Sequence, residues 1–542
     1  MIGNIKNRQL ITRATDLSRN PFTYVFLAST IGIFRGLQSR FIGQNGDAAG
    51  YVDALSPGQA FLNLNFAYGF SVIKLRELIG INPIDLQAIS FYNNYADISF
   101  MHSHPYLISF IFRMLPTFTL PIYFFPLMLL AVSYSLGVTL LLRRTFQAQL
   151  NLWPKTFLGL ILLASPILTE AISGQPYFDK LFFGPCIAII FILTSGDLSR
   201  RQNQIILFFL LLLSITLSER TALMSSIITL YLLGIRFGIK LLKHKFNVAI
   251  ATLAIFGLSW FLVWSTYLSK NPDMANLNFE NYWANLVSAL GGDRRSNFIV
   301  FALNIAPFLF LTLMKISFLP ACILGIMPNL IVSIGGAELT GYSTHYHSIY
   351  LPIIFALGIV SITQFTEKDQ YRKRSVVLIC AVMAFLLSLS SSLNGKLNFQ
   401  DLNAKAGQVL TSAFDSFGLI PRDVIDARNS RSIEYRNLYS GLDSNSNMRI
   451  SAPEQFMPSL VERGLRKIDY FPVGLGFNEL LIVPFTDDTY STVEISLYGL
   501  VSEEDQLIWS STILRILNSR YVETKRYTGV LGHVIIYELE NP

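Results

Sequence analysis

Residues 181–239 read LFFGPCIAIIFILTSGDLSRRQNQIILFFLLLLSITLSERTALMSSIITLYLLGIRFGI, and this stretch decides the fold class. It contains three apolar runs, 181–196, 205–218 and 221–239, which are separated by short polar breaks. Each run has the length of a helix that spans most or all of a hydrocarbon layer about 30 Å thick. The stretch therefore predicts an α-helical multi-pass membrane protein.

The same pattern covers most of the chain. Eight more apolar runs bring the prediction to about 11 transmembrane helices. The composition agrees, because 52% of the 542 residues are hydrophobic and only 14% are charged, whereas a soluble domain has about 25% charged residues. A wholly soluble protein is excluded. The additional runs lie at 21–39, 117–142, 154–172, 247–268, 298–314, 316–334, 348–365 and 375–391.

The net charge of +7 is unevenly distributed along the chain. Residues 1–399 contain 29 Lys and Arg against 16 Asp and Glu, and residues 400–542 contain 13 against 19. If the N-terminus is cytoplasmic, the short inner segments hold 18 of those 29 cations, in line with the positive-inside rule. The basic charge thus belongs to membrane loops, and no nucleic-acid partner is predicted. An odd number of spans in the cytoplasmic (inner) membrane places the C-terminal region outside.

Two domains are predicted. Residues 1–391 form the multi-pass transmembrane domain, whose first outer loop, 40–104, has a length typical of functional loops. In this loop Phe61–Ile79 has apolar residues at helical spacing, which predicts helices on the outer membrane surface. Residues 392–542 predict a small, soluble, extracytoplasmic α/β domain. Its predicted strands are Leu480–Phe485, Thr492–Tyr498 and Val530–Leu539, and its predicted helices are Pro453–Gly464 and Glu503–Asn518.

The acidic residue Asp47 comes just after the first span, within Gly46-Asp47-Ala48-Ala49-Gly50-Tyr51. Its small neighbours leave room for a ligand, so the carboxylate is a candidate general base. An N-cap for a surface helix that begins at Ala48 explains the same residue equally well. Asp53 either shares this site or is solvated.

Other ionisable residues lie near outer ends of the spans. Glu170 and Asp179 bracket a short outer loop, and Glu219-Arg220 stands between two apolar runs. A charged side chain close to the hydrocarbon layer costs free energy, so the presence of these residues favours a role in a substrate site. The acids would bind sugar hydroxyls or a divalent metal ion. Neutralisation of Glu219 and Arg220 by each other or by other helices explains this pair equally well.

Two arginines, Arg294 and Arg295, open the eighth span at its outer boundary. A guanidinium group binds phosphate bidentately, so the pair is a candidate for a substrate phosphate. Anchoring to lipid headgroups explains the pair as well.

Two outer histidine pairs, His102 with His104 and His345 with His347, have an i, i+2 spacing. This spacing can chelate a metal from a loop or a strand, but not from one face of a helix. Nothing in the sequence brings the two pairs together, and their Ser, Tyr and Thr neighbours suit a hydrogen-bonding sugar site. A divalent metal is therefore an open alternative, with no cofactor assigned.

Several motifs occur together in an order that resembles the predicted bacterial membrane family known as domain of unknown function 2079. The resemblance covers most of the chain, and the set is more specific than any single motif. This chain departs from the family at Lys180, where the family has a histidine. The motifs are Gly46–Tyr51, His104-Pro105, Phe178-Asp179, Ser218-Glu219-Arg220-Thr221-Ala222, Pro328-Asn329-Leu330, Thr344-His345-Tyr346-His347 with Pro352, Ser451–Leu460 and Asp469-Tyr470-Phe471-Pro472.

That family is similar in plan to the GT-C glycosyltransferases. This resemblance implies a polyprenyl-phosphate-linked sugar donor, membrane lipid as surroundings and an unknown acceptor on the outer face. By position, Asp47 matches the catalytic acid of the first loop, and Glu170 or Asp179 matches the acid of the second loop. A transporter or lipid-handling protein without covalent chemistry is the alternative, and it predicts polar residues through the inner half of the membrane.

Overall fold

A computed structural model describes parts of both predicted domains, residues 1–391 and residues 392–542. The described residues are 20–41, 63–65, 124–164, 178–263, 287, 305–306, 308–324, 347–363, 375, 434–435, 437–440, 448–453, 456–462, 465, 467–472, 475–476, 478–494, 503–529 and 531–540.

The described part of residues 1–391 is almost entirely helical, and every helix in it overlaps a predicted span. The α-helices are α1 (Pro21–Phe41), α2 (Phe124–Gln147), α3 (Leu152–Ala164), α4 (Phe183–Ser195), α5 (Arg201–Leu217), α6 (Glu219–Phe237), α7 (Lys245–Val263) and α8 (His347–Thr363). Short 3-10 helices cover Phe178–Phe182, Gly238–Lys243 and Leu313–Phe318.

Length and composition mark two described segments as able to cross a membrane, Leu127–Gln147 and Lys245–Val263. Shorter apolar helices, among them Arg201–Leu217 and Phe308–Leu324, follow the same pattern. The second of these is interrupted at Lys315, whose φ of −140° and ψ of 81° are not helical. This interruption falls at the predicted break between runs 298–314 and 316–334. The total of about 11 spans stays a prediction.

Helix α4 lies in the middle of the described bundle, in contact with α2, α5, α6 and α8. Its residues are apolar on all sides and nine of them are buried, as expected for a helix surrounded by other helices. Gly184 lets α4 approach α2 closely, because a Cβ at this position would lie 2.3 Å from the carbonyl oxygen of Ser133. The contact is between backbones, so a rotamer change cannot relieve it.

Gly184→Ala should therefore destabilise the bundle by about 1–3 kcal/mol, the usual cost of overpacking. Gly234→Ala in α6 is the matched control, since a Cβ there meets nothing within 4 Å and alanine is the better helix former by about 1 kcal/mol. Thermal unfolding of the two purified variants in detergent tests this. An unfolding temperature for Gly184→Ala at or above that of the unmodified protein would contradict the backbone contact.

The bundle has a basic end. The Arg236 guanidinium donates hydrogen bonds to the carbonyl oxygens of Leu193 at 2.6 Å and Gly196 at 2.6 Å, and Arg144 lies over the ring of Phe191 at 5.4 Å. Arginine thus satisfies carbonyl groups left open at the C-terminus of α4. This is the end that the sequence predicts to be cytoplasmic, and its placement relative to the membrane stays a prediction.

Residues 449–539 supply five strands of a six-stranded mixed sheet, and the predicted first loop supplies β1. The order of the strands is β1-β3-β2-β4-β6-β5. The first four strands in this order are parallel, and β6 runs antiparallel to β4 and β5. Two helices, α9 (Met457–Glu462) and α10 (Glu503–Arg520), accompany it. The strands are β1 (Asn63–Asn65), β2 (Arg449–Ala452), β3 (Lys467–Tyr470), β4 (Leu480–Phe485), β5 (Tyr521–Gly529) and β6 (Gly532–Leu539).

Strand β4 is buried along its whole length, whereas β5 is mostly exposed and charged at the edge of the sheet. Arg526 donates two hydrogen bonds to the carboxylate of Glu523, at 2.9 and 2.7 Å. These hydrogen bonds hold the pKa of Glu523 below its usual value. Charged side chains on an edge strand disfavour pairing with another chain.

Two predicted elements differ from the structure. The predicted surface helix Phe61–Ile79 contains strand β1, so the helical prediction is wrong at Asn63–Asn65. Of the predicted strand Thr492–Tyr498, residues 492–494 are described and form only an isolated bridge between Phe485 and Val493. The remaining residues of both predictions lie outside the described part.

Candidate functional site

Three ionisable residues from two segments, Asp179, Glu219 and Arg220, meet at the end of the bundle opposite the basic end, and Lys180 follows Asp179 in the chain. Asp179 and Lys180 belong to the 3-10 helix Phe178–Phe182 that precedes α4, and Glu219 and Arg220 are the first two residues of α6. Arg220 Nη1 lies 3.7 Å from Asp179 Oδ2, and Arg220 Nε lies 3.8 Å from Glu219 Oε1. We call these four residues the charged cluster.

The cluster is buried. Asp179, Lys180 and Glu219 are 3%, 0% and 3% exposed, and the side chain of Arg220 is 18% exposed. Asp179, Lys180 and Glu219 are the only Asp, Glu, Lys or Arg residues that are buried in the described part of the chain. Burial of isolated charges costs several kcal/mol each, so such groups are placed together, where opposite charges compensate. Two carboxylates and two cations give the cluster a formal charge of zero.

The turn between α5 and α6 fixes Glu219 and Arg220. Ser218 is extended, with φ −160° and ψ 168°, and forms a capping box with Thr221. The Thr221 hydroxyl also donates to the carbonyl oxygen of Ser214 at 2.7 Å, which ties the turn to the last turns of α5. Glu219 therefore lies in the first turn of α6, where the helix dipole favours a negative charge.

The segment that carries Asp179 and Lys180 is held by α2. The Ser133 hydroxyl donates to the carbonyl oxygen of Leu181 at 2.8 Å and accepts from the backbone N–H of Gly184 at 3.1 Å. These buried hydrogen bonds set the position of the 3-10 helix at the start of α4. The cluster thus depends on the packing of α2, α4 and α6 together.

The distances from the Arg220 guanidinium to the two carboxylates indicate how tightly the three groups are paired. Both arginine–carboxylate contacts are longer than the 2.7–2.9 Å or so of a tight charge-assisted hydrogen bond. The Arg220 guanidinium is therefore attracted to two acids without the geometry of a tight bidentate pair to either. A guanidinium group can pair with an anionic ligand, and a carboxylate can accept hydrogen bonds from hydroxyl groups.

Three of the predicted site residues, Asp179, Glu219 and Arg220, come together in the structure. The sequence indicated that all three lie near outer ends of spans, but not that Asp179 contacts Arg220. The sequence marks Lys180 only as a departure from the family pattern and does not predict its complete burial. His347 begins α8. The other predicted site residues lie outside the described part: Asp47, Asp53, His102, His104, Glu170, Arg294, Arg295 and His345.

Among the described residues, no group of three or more His, Cys, Asp or Glu side chains is arranged to hold a metal ion. Three of the four predicted histidines lie outside those residues, and the side chain of His347 is not described. The divalent metal thus stays a prediction.

No family model matches the chain, and no curated protein sequence matches it. The chain is similar in structure to ArnT from Cupriavidus metallidurans, whose crystal structure has undecaprenyl phosphate bound. The two chains are 14% identical over 96% of this chain and 99% of that chain, with a TM-score of 0.44. The resemblance to domain of unknown function 2079 stays a prediction.

Proposed function

We propose that the protein is a membrane glycosyltransferase that moves a sugar from a polyprenyl-phosphate donor to an acceptor on the outer face of the cytoplasmic membrane. The observation that carries the proposal is the buried charged cluster, in which Arg220 lies between Asp179 and Glu219. A cation held at the end of an apolar bundle suits a ligand whose phosphate is attached to a long hydrocarbon chain.

In the proposed reaction the acceptor oxygen forms a bond to the anomeric carbon of the sugar as the bond from that carbon to the phosphate oxygen breaks. The electron pair of the broken bond leaves with the polyprenyl phosphate, whose negative charge Arg220 would stabilise. The proton of the acceptor hydroxyl goes to a general base, for which Asp47 is the candidate. Asp179 and Glu219 would accept hydrogen bonds from sugar hydroxyls.

A transporter is the alternative that the sequence left open. A polar pathway would place ionisable groups along the interior of the bundle. In the part of the chain that the structure describes, the buried Asp, Glu and Lys residues all belong to one cluster at one end. This distribution favours a reaction at the membrane surface over a path through the membrane.

Native mass spectrometry of the protein released gently from its own membranes tests the donor. We expect a co-purified polyprenyl phosphate or polyprenyl-phosphate sugar, and its mass would identify the sugar class. Another multi-pass protein from the same membranes, prepared in the same way, is the control for carry-over of lipid. The proposal fails if only bulk phospholipid is found and added polyprenyl phosphate does not bind.

A further inference from the structure

Strand β1 belongs to the first loop of the membrane domain, but it is paired with a strand of the C-terminal domain. Asn63, Leu64 and Asn65 lie opposite Lys467, Ile468 and Asp469 of β3, in parallel register. Strand β3 in turn pairs with β2 through Ile450 and Ile468, and both of these side chains are buried. The first loop thus continues the sheet of the other domain.

This pairing restricts the topology of the chain. A backbone ladder between two segments requires both to lie on the same side of the membrane, because unpaired backbone outside a helix or barrel is not tolerated in the hydrocarbon layer. An even number of crossings must therefore separate Asn65 from Arg449. The ten apolar runs predicted from 117–142 to 375–391 satisfy this condition.

The two edges of the sheet are protected in different ways. Strand β5 closes one edge with Glu523, Lys525 and Arg526, which are unfavourable for addition of a further strand. The other edge would be β3 if β1 were absent, and β1 covers it. The short strand of the first loop is thus the edge strand of this domain.

We propose that the C-terminal domain is a positioning element for the first loop, whose sequence includes the candidate base Asp47, and that pairing of β1 with β3 anchors this loop at Asn63–Asn65. Asp47 follows the last residue of α1, Phe41, by six residues and precedes β1 by sixteen. A chain segment held at both ends loses conformational freedom. The effect on catalysis rests on the proposed function, whereas the pairing itself does not.

Cysteine pairs test the pairing in the full-length protein, independently of activity. In a background with Cys186, Cys322 and Cys380 replaced by alanine, Asn65→Cys with Asp469→Cys is in register. Asn65→Cys with Lys467→Cys is the matched control, two residues out of register. We expect the first pair to form a disulfide at least ten times faster under mild oxidation. Equal rates, or no disulfide in either pair, would overturn the pairing.

Proline variants test positioning. Neighbouring residues of a parallel strand direct their backbone groups to opposite sides, so only one of Leu64→Pro and Asn65→Pro removes an N–H that faces β3. We expect one of the two variants to lower kcat at least tenfold with little change in KM for a polyprenyl-phosphate sugar, and the other to resemble the unmodified protein. A disulfide between Asn63→Cys and Lys467→Cys should restore kcat in the impaired variant.

The possible failures are distinguishable. If the unmodified protein neither binds nor consumes the lipid donor, the proposed function fails, while the disulfide rates still decide the pairing. If the in-register disulfide forms and both proline variants keep full kcat, the positioning role is wrong although the pairing stands. If kcat and donor binding fall together and the disulfide does not restore them, the domain has only a structural role.

Discussion

Asp47→Asn is expected to lower sugar transfer by about 100- to 10,000-fold, the usual contribution of a general base. The substitution removes the carboxylate that would take the proton of the acceptor hydroxyl, and it changes the size of the side chain very little. Transfer is measured as conversion of a polyprenyl-phosphate sugar to polyprenyl phosphate in membranes that contain the protein's own acceptor. Mass spectrometry of the extracted lipids follows both species.

The choice of substitutions separates a base from a helix cap. Asparagine and serine cap a helix as well as aspartate does, whereas alanine loses about 1 kcal/mol. If Asp47 is the base, Asp47→Asn, Asp47→Ser and Asp47→Ala are all inactive. If Asp47 is only a cap, the first two variants keep full activity and only Asp47→Ala is destabilised.

The control for an aspartate-to-asparagine change is Asp197, at the basic end of the bundle next to Gly196. Its carboxylate is exposed and contacts Arg200 and Ser199, so Asp197→Asn should leave transfer unchanged. Full activity of Asp47→Asn in the same membranes would rule out Asp47 as the base.

The helices of the bundle could be predicted from the sequence because hydrophobic periodicity and length are local properties. The run 181–196 contains α4, and the polar break Ser218-Glu219-Arg220 is the start of α6. Contact between Asp179 and Arg220 could not be predicted in this way. It arises because α4 and α6 both begin at the same end of the bundle, and only their packing brings the two side chains within 4 Å.

The sheet illustrates the same limit. Strand β4 could be predicted because its six residues, LLIVPF, form a continuous apolar run. Strands β2 and β3 have four residues each, RISA and KIDY, and their alternation is too short to distinguish them from loops. The sequence NLN of β1 has no strand signal at all. Its conformation is determined by the open edge of β3, which is supplied by residues distant in sequence, so a local pattern could not reveal it.

Arg220→Gln is expected to have two effects that can be measured separately. Loss of the guanidinium should weaken binding of polyprenyl phosphate by about 10- to 100-fold, since a hydrogen bond to a charged group contributes about 1.5–3 kcal/mol. It should also lower the free energy of unfolding by about 3 kcal/mol, because Asp179 and Glu219 would remain buried without this cation. Lipid affinity is measured by native mass spectrometry and stability by thermal unfolding.

A second variant separates these effects. Asp179→Asn combined with Arg220→Gln removes one charge of each sign, so the cluster returns to a formal charge of zero and most of the stability should return. Lipid affinity should stay low, because no guanidinium remains for the phosphate. Arg236→Gln, at the other end of α6, is the opposite control: it loses hydrogen bonds to Leu193 and Gly196 and should reduce stability without changing lipid affinity. If the double variant recovered both stability and lipid affinity, the charged cluster would be structural, and the phosphate of the donor would have to bind elsewhere.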